Sequence, residues 1–238
     1  MPEITLPRPI SIIIPVLNEA EQISSTLRQL SGADVTEIIV VDGGSSDATV
    51  QIAESLGAHV LRGPASRGEQ QNLGAASAVG EILLFLHADT RLPEDCAEQV
   101  RSTLAKPGTI AGAFRFSLDA SGCRIGLVER MVSIRCALFA LPYGDQALFM
   151  SRDAFEQVGR FANLPVMEDF DLVRRLKRLG RVQIAEGAAV TSARRWREHG
   201  VWRVTWRHQL CILGYFLRIS PAKLARLRNF ERPPNSGA

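Results

Sequence analysis

Three apolar runs with no polar alternation limit what this chain can become: "PISIIIPV" (Pro9–Val16), "TEIIVVD" (Thr36–Asp42) and "EILLFLHAD" (Glu81–Asp89). A strand with one wet face alternates, whereas a strand covered on both faces does not. Such doubly covered strands belong to parallel sheets sandwiched between helices. The intervening segments carry the helical pattern this requires. Asn18 is placed to cap a helix over Glu19–Leu30, and Ser45 or Ser46 to cap one that ends at Leu56. "AHVLR" (Ala58–Arg62) adds a strand, and a small-residue helix runs to Val79 after the polar loop "GPASRGEQQN". "LPEDCAEQVRSTL" opens a further helix, with Pro93 early and acids in the first turn. The expected class is α/β, with a mainly parallel central sheet flanked by helices.

Open sheets of this kind bind ligands beyond the carboxyl ends of their strands. Here strand ends hand over to polar clusters: Asn18-Glu19, Asp42, the loop around Arg67, and His87-Asp89. These four are expected to meet in one crevice. The second half is less regular. A strand is expected over Thr109–Leu118, a helix over 123–140, and a glycine turn then a short strand in "YGDQALFMS". "MEDFDLVRRLKRLG" starts a helix with acids first and bases last, and "RVQIAEGAAVTSARRW" reads as one or two short strands.

Charge divides the chain unevenly. Residues 1–190 carry 18 Lys+Arg against 23 Asp+Glu, and residues 191–238 carry 10 against 2. A basic tail on an acidic body suits phosphate, an anionic membrane surface or the body itself. Nucleic acid is not an expected partner, because no nucleic-acid module accompanies the charge. Cys96, Cys123, Cys136 and Cys211 show no CxxC spacing and read as reduced thiols of a cytoplasmic protein. "MPEITLPRP" lacks the basic and apolar regions of a signal peptide. The tail helix is apolar, but Arg203, Arg207 and His208 interrupt it before the ~20 residues a membrane span needs. It is expected either to dock on the domain with its tryptophans in the interface, or to lie on an anionic membrane at the inner face.

In order, "IIIPVLNEA", "VVDGGSSD", "RGEQQNLGAA", "LFLHADT", "GDQALFM" and "MEDFDLVRRL" resemble the family-2 glycosyltransferases with the GT-A fold. With "LPYGDQ", "PVMEDFDLVRRL" and "TSARRW", the chain is similar to a bacterial subgroup labelled arsenosugar-biosynthesis or radical-SAM/selenodomain-associated glycosyltransferases. The resemblance runs from about Ser11 to Trp196. It implies a GT-A domain over 1–198 and a helical basic extension over 199–238.

What the resemblance implies for individual residues can be set beside their own chemistry. Nucleotide-sugar contacts fall to Pro15, Asn18, Glu19, Asp42, Gly43, Arg67, Gln71 and Asp89. Asp42 is otherwise a turn aspartate holding its own loop, and Arg67 otherwise a solvated loop arginine. The family's Asp-x-Asp stands here as His87-Ala88-Asp89, which makes Asp89 the direct ligand of Mg²⁺ or Mn²⁺. His87 is either a second ligand or a strand-end residue, and His199 or His208 either completes the metal site or is structural. Glu168 and Asp169 are the catalytic pair, with Asp169 as base and Glu168 orienting; Asp171 reads as an exposed or capping acid. Asp145 belongs to the acceptor side. "TSARRW" stands where processive relatives carry Gln-x-x-Arg-Trp, without the glutamine and with Arg195-Trp196 matching the Arg-Trp; Arg194 or Arg195 either braces the diphosphate or belongs to a solvated basic strand end, and all three residues fall on the acceptor or diphosphate side. The expected activity is metal-dependent, inverting transfer from a nucleotide-diphosphate sugar to an acceptor hydroxyl. A nucleotidyltransferase and a non-catalytic binding module are the alternatives.

Overall fold

The computed structural model describes residues 7–228. Eight strands form one sheet: β1 (Ile10–Val16), β2 (Glu37–Asp42), β3 (His59–Arg62), β4 (Ile82–Phe85), β5 (Thr90–Arg91), β6 (Thr109–Leu118), β7 (Leu148–Ser151) and β8 (Arg181–Thr191). Their spatial order is β3-β2-β1-β4-β7-β6-β8-β5. β1 pairs in parallel with β2 and β4, β2 with β3, and β6 with β8. β7 runs antiparallel to both its neighbours, and β5 to β8, so the sheet is mainly parallel as expected.

The unbroken apolar run of β1 has the predicted cause. All seven of its residues are buried, with Ile10, Ile12, Ile14 and Val16 in one core cluster and Ile13 in the other. Burying an aliphatic side chain of this size contributes about 1.5–3 kcal/mol, so a strand of isoleucines between two helical layers anchors the fold. Those layers are α1 (Ala20–Leu30), α2 (Thr49–Ser55), α3 (Arg67–Ser77), α4 (Cys96–Leu104), α5 (Cys123–Phe139), α6 (Arg152–Gln157) and α7 (Glu168–Leu176). The tail adds α8 (Arg194–His199), α9 (Val201–Phe216) and α10 (Pro221–Arg228).

α3 lies close enough to the sheet that a Cβ on Gly74 would sit 2.5 Å from Ile13 Cγ2 and 3.1 Å from Val41 Cγ2. Gly74→Ala is therefore expected to destabilise by ~1–2 kcal/mol. Overpacking of about 1–3 kcal/mol outweighs the ~1 kcal/mol gain in helix propensity. Urea unfolding checks this, and a more stable variant would contradict the close packing.

Several local expectations are corrected. Asn18 does not cap α1: it sits in the left-handed region at φ 54°, and the α1 N-terminus is satisfied from the neighbouring β2–α2 loop instead. Ser45 Oγ accepts from Asn18 N at 2.8 Å, Thr49 Oγ1 from Glu19 N at 2.9 Å and Asp47 Oδ2 from Ala20 N at 3.2 Å. Asn18 Oδ1 returns the bond by accepting from Ser46 N at 2.8 Å. Ser45 and Ser46 are thus used in this interlock, and α2 begins only at Thr49 with Ala48 at its cap position.

The fourth strand stops at Phe85, four residues before Asp89. Thr90 and Arg91 then pair with Thr191 and Val190, which carries the chain from the β1 half of the sheet toward β8. "RVQIAEGAAVTSARRW" is one strand of 11 residues followed by a helix, not two short strands, so Arg194–Trp196 is not a strand end.

The tail helix docks on the domain but not through its tryptophans. α9 buries Val204, Thr205, Cys211 and Gly214, while Trp202 and Trp206 are 52% and 66% exposed. No helix among the described residues is long and apolar enough to cross a membrane. The first six residues, which carry the signal-peptide reading, and the last ten of the 199–238 extension lie outside the described residues.

Candidate active site

Beyond the carboxyl ends of β1 and β4 lies a cavity of about 680 Å³, walled by Pro15, Glu19, Arg67, His87, Asp89, Tyr143, Asp145, Glu168, Asp169, Arg194, Arg195 and Trp196. Three of the four predicted clusters, together with the catalytic pair, meet there. Asn18, Asp42, Gly43 and Gln71 are outside its wall. Asp42 is 3% exposed, and both its oxygens accept from its own loop: Oδ2 from Gly44 N at 3.0 Å, Oδ1 and Oδ2 from Ser45 N at 3.0 and 3.1 Å. The turn-holding reading of Asp42 therefore describes its contacts. A Cβ on Gly43 would meet Gln70 Nε2 at 2.8 Å, so this glycine admits the neighbouring side chain. Gln70 then donates to Val16 O at 2.8 Å and Val41 O at 2.9 Å, joining the ends of β1 and β2. Gln71 is buried at 2% exposure.

Asp89 sits at the crossing between the two halves of the sheet. Its backbone oxygen accepts from Ser192 N at 3.1 Å, and Thr26 Oγ1 donates to Ala88 O at 2.6 Å. Thr90 and Thr191 hydroxyls lie 3.5 and 3.4 Å from Asp89 Oδ1, loose contacts that leave the carboxylate available. Glu19 stands nearby. Burial, and then the negative charge of Asp89, raise its carboxyl above the ordinary glutamate value, while Arg194 and Arg67 oppose the shift. Glu19 Oε2 lies 3.8 Å from Arg194 and makes no hydrogen bond.

This raised carboxyl has a sign that can be worked out. The folded state holds the proton more tightly than the unfolded chain. Its stabilising contribution is full below the unfolded value near 4.5 and is lost as pH rises through the raised folded value. Glu19→Gln is expected to flatten that part of the stability–pH curve and to gain on the parent protein as pH rises. Melting temperatures from about pH 4 to 8 test this, and parallel curves would reject it.

To the same cavity α7 presents its first turn. Met167 precedes it in the left-handed region at φ 68°, a conformation that costs of order 1–3 kcal/mol in a non-glycine residue and tends to accompany function. Glu168 is 3% exposed and lies 3.8 Å from Arg67 Nη1. Asp169 turns elsewhere: its Oδ2 accepts from Gly144 N at 2.6 Å and its Oδ1 from Phe170 N at 2.7 Å. Adjacent acids thus serve different partners, in keeping with helix geometry. A Cβ on Gly144 would meet both Asp169 Oδ2, at 3.0 Å, and His87 Nε2, at 3.1 Å, so His87 and Asp169 flank one point in the cavity. Asp171 is not an exposed cap. It binds Arg175 Nε at 2.7 Å and accepts from the Tyr215 hydroxyl at 2.7 Å, tying α7 to α9.

Sequence reasoning did not anticipate Tyr143, Val166, Met167, Thr191, Ser192, Cys211 or Ile212 in this wall. Proline and apolar residues directly before the Glu168-Asp169 pair were the available signal for the 165–167 segment. The tail residues reach the cavity only through the packing of α9. His199 and His208 line it too, and among the described residues no group of three or more His, Cys, Asp or Glu is arranged to hold a metal ion.

An open, mainly parallel sheet with acids gathered at its strand ends defines a ligand-handling α/β domain of the GT-A type. The chain belongs to glycosyl transferase family 2, whose sequence profile matches residues 11–155. It is similar to glycosyltransferase AglE of Haloferax volcanii, 28% identical over 171 residues that are 65% of this chain and 56% of that protein. It is also similar to glucosyl-3-phosphoglycerate synthase of Mycolicibacterium smegmatis, 33% identical over 37% of this chain and 33% of the relative. The chain therefore spans about half or less of these curated relatives. Among solved structures, the mannosyltransferase PcManGT of Pyrobaculum calidifontis, in complex with GDP-Man and Mn²⁺, superposes with TM-score 0.69 at 20% identity, covering 97% of this chain and 67% of that one.

Proposed function

We propose that this protein transfers a sugar from a nucleotide-diphosphate sugar to an acceptor hydroxyl, with inversion at the sugar's C1. The observation that carries this reading is that Asp89 and Asp169 both line one cavity at the strand ends. PcManGT holds GDP-Man with Mn²⁺, and glucosyl-3-phosphoglycerate synthase of Mycobacterium tuberculosis, 25% identical with TM-score 0.59, holds Mn²⁺, UDP and glucosyl-3-phosphoglycerate, which supports a nucleotide-sugar donor here.

Arg67, Arg194 and Arg195 supply positive charge for the diphosphate, and guanidinium forks suit its paired oxygens. The donor set fits Mg²⁺ or Mn²⁺, which bind through one or two carboxylates together with substrate phosphates and need no protein cage. Asp89 would hold the ion, with the Glu19 carboxyl on the same cavity wall. A bound ion would offset the charge that develops on the leaving diphosphate. Asp169 accepts the acceptor's proton as the hydroxyl oxygen bonds to C1, and the C1–O bond to the diphosphate breaks with its electron pair on the leaving group. Gly144 N–H and Phe170 N–H hold the Asp169 carboxylate in one orientation for that transfer.

Finer assignments belong to the same reading. "LPYGDQ" and "TSARRW" support the arsenosugar/radical-SAM-associated subgroup. The described part of the 199–238 extension acts as a wall of the site, through His199, His208, Cys211 and Ile212. The exposed Trp202 and Trp206, with Arg203 and Arg207 beside them, suit contact with an anionic membrane surface. A thermal-shift panel of nucleoside diphosphates with and without Mn²⁺ tests the core of the proposal. Binding to the native state raises its melting temperature by mass action, so one base should stand out and require the ion. No shift with any nucleotide would remove the reading.

A further inference from the structure

Next to the main cavity is a second one of about 340 Å³, between α5 and α9. Its sides are mostly apolar, formed by Phe116, Val128, Met131, Val132, Ile134 and Phe139, with Arg135 and Gln209 also lining it. It shares Tyr143, Asp145, Trp196 and His208 with the first cavity as a common wall. At the outer end Met131, Ile134 and Phe139 are 40%, 49% and 57% exposed, so the slot opens to the surface.

Two features of this slot are not explained by packing. Trp196 and Thr205 are 8% and 9% exposed, yet Trp196 Nε1 and Thr205 Oγ1 have no hydrogen-bond partner. Thr205 lies inside a helix, where a threonine ordinarily donates to the carbonyl one turn back. Tyr143 Oη, on the common wall, also lacks a hydrogen bond. A buried polar group left without a partner is costly and needs an explanation. The slot is therefore mainly apolar along its sides, with the buried Thr205 hydroxyl on its own wall and the buried Tyr143 and Trp196 polar atoms on the wall it shares with the catalytic cavity.

We propose that this slot is the acceptor subsite, and that the acceptor is an amphiphile: an apolar chain lying between α5 and α9, joined to an oxygen-rich head that meets Tyr143, Trp196 and Thr205 and presents its hydroxyl past Asp145 to Asp169. This rests on the transferase reading and names its acceptor class. The donor occupies the opposite side, where Pro15, Glu19, Arg67 and Asp89 stand at the strand ends. A cavity of this size accepts a chain of several carbons, within the range of small-molecule sites.

n-Alkyl β-glucosides with four to ten carbons, kept below their micelle concentrations, serve as probes in calorimetry. Affinity is expected to rise about three- to fourfold per added methylene until the slot is filled. Ile134→Arg, at the half-exposed mouth where the fold tolerates charge, is expected to abolish the chain-length dependence. It should leave the Mn²⁺-dependent nucleoside diphosphate shift unchanged. Thr205→Val removes the lone hydroxyl at similar volume; it is expected to keep the chain-length dependence and to weaken binding of every glucoside by a constant factor. Equal affinity for all chain lengths, or undiminished dependence in Ile134→Arg, overturns the subsite while nucleotide binding persists. Loss of nucleotide binding in the parent protein would instead strike the transferase reading itself.

Discussion

Asp169→Asn is expected to lower the rate of sugar transfer about 10²- to 10⁴-fold, the range that a positioned general base contributes, while donor binding stays close to that of the parent protein. The substitution is conservative in shape. The asparagine oxygen can still accept one of the two backbone N–H bonds, from Gly144 or Phe170, that the carboxylate now accepts. The other is lost, at a cost of about 1 kcal/mol in stability, too small to unfold a domain with this core. What disappears is the ability to take a proton from an alcohol. Steady-state release of nucleoside diphosphate, alongside donor affinity by calorimetry, separates the two effects. Ordinary turnover in the asparagine variant would show that another group takes the proton.

Asp89→Ala should act with a different signature. Among the described residues its carboxylate's hydrogen-bond contacts are the loose 3.4 and 3.5 Å ones with Thr191 and Thr90, so folding should be little affected. The Mn²⁺-dependent part of nucleoside diphosphate binding is expected to fall by more than the ~10–100-fold seen when a mere supporting partner of a metal ligand is lost. Metal-independent binding through Arg67 and Arg194 should remain. The measurement is the melting-temperature gain from nucleotide with Mn²⁺ minus that without it. An unchanged difference would remove Asp89 from the ion's coordination. Paired with the Asp169 variant, it distinguishes loss of donor binding from loss of chemistry.

How much of this could be read from the sequence depended on how local the cause was. β1 was legible because its burial on both faces writes itself as an unbroken run, Ile10 to Val16. The acidic start of α7 was legible for the same reason: the helix dipole favours Glu168 and Asp169 within a single turn. β4 was overextended because Leu86 and Ala88 are as apolar as the strand before them. What ends the strand is the distant pairing of Thr90 with Thr191, which leaves no trace nearby.

Asn18 was misread as a helix cap because its residue type fits the role, while the bonds that replace the cap come from residues 45–49. For Asp42 the resemblance implied a nucleotide contact and its residue type a turn aspartate; its oxygens accept from Gly44 and Ser45 within its own loop. The single long β8 escaped notice because its partner β6 is irregular, with register shifts between Thr109 and Ala111 and between Ala113 and Arg115. Of the wall supplied by α9 the sequence offered only His208, since no pattern in a helix says which concave surface it will cover.

The bond from the Tyr215 hydroxyl to Asp171 reaches one helical position pair beyond Asp169, and it sits far outside the stretch that the family profile recognises. The working unit of this protein is thus larger than its most recognisable part. A shortened polypeptide ending before α9 would retain every strand and still lose the strut that steadies α7, along with one side of the vessel in which the reactants are held. Boundaries drawn for expression or for domain grafting should run through the end of α10, because α8 and α9 wall the site and α10 backs them, with Leu224 packed in one cluster with Cys211 and Phe170.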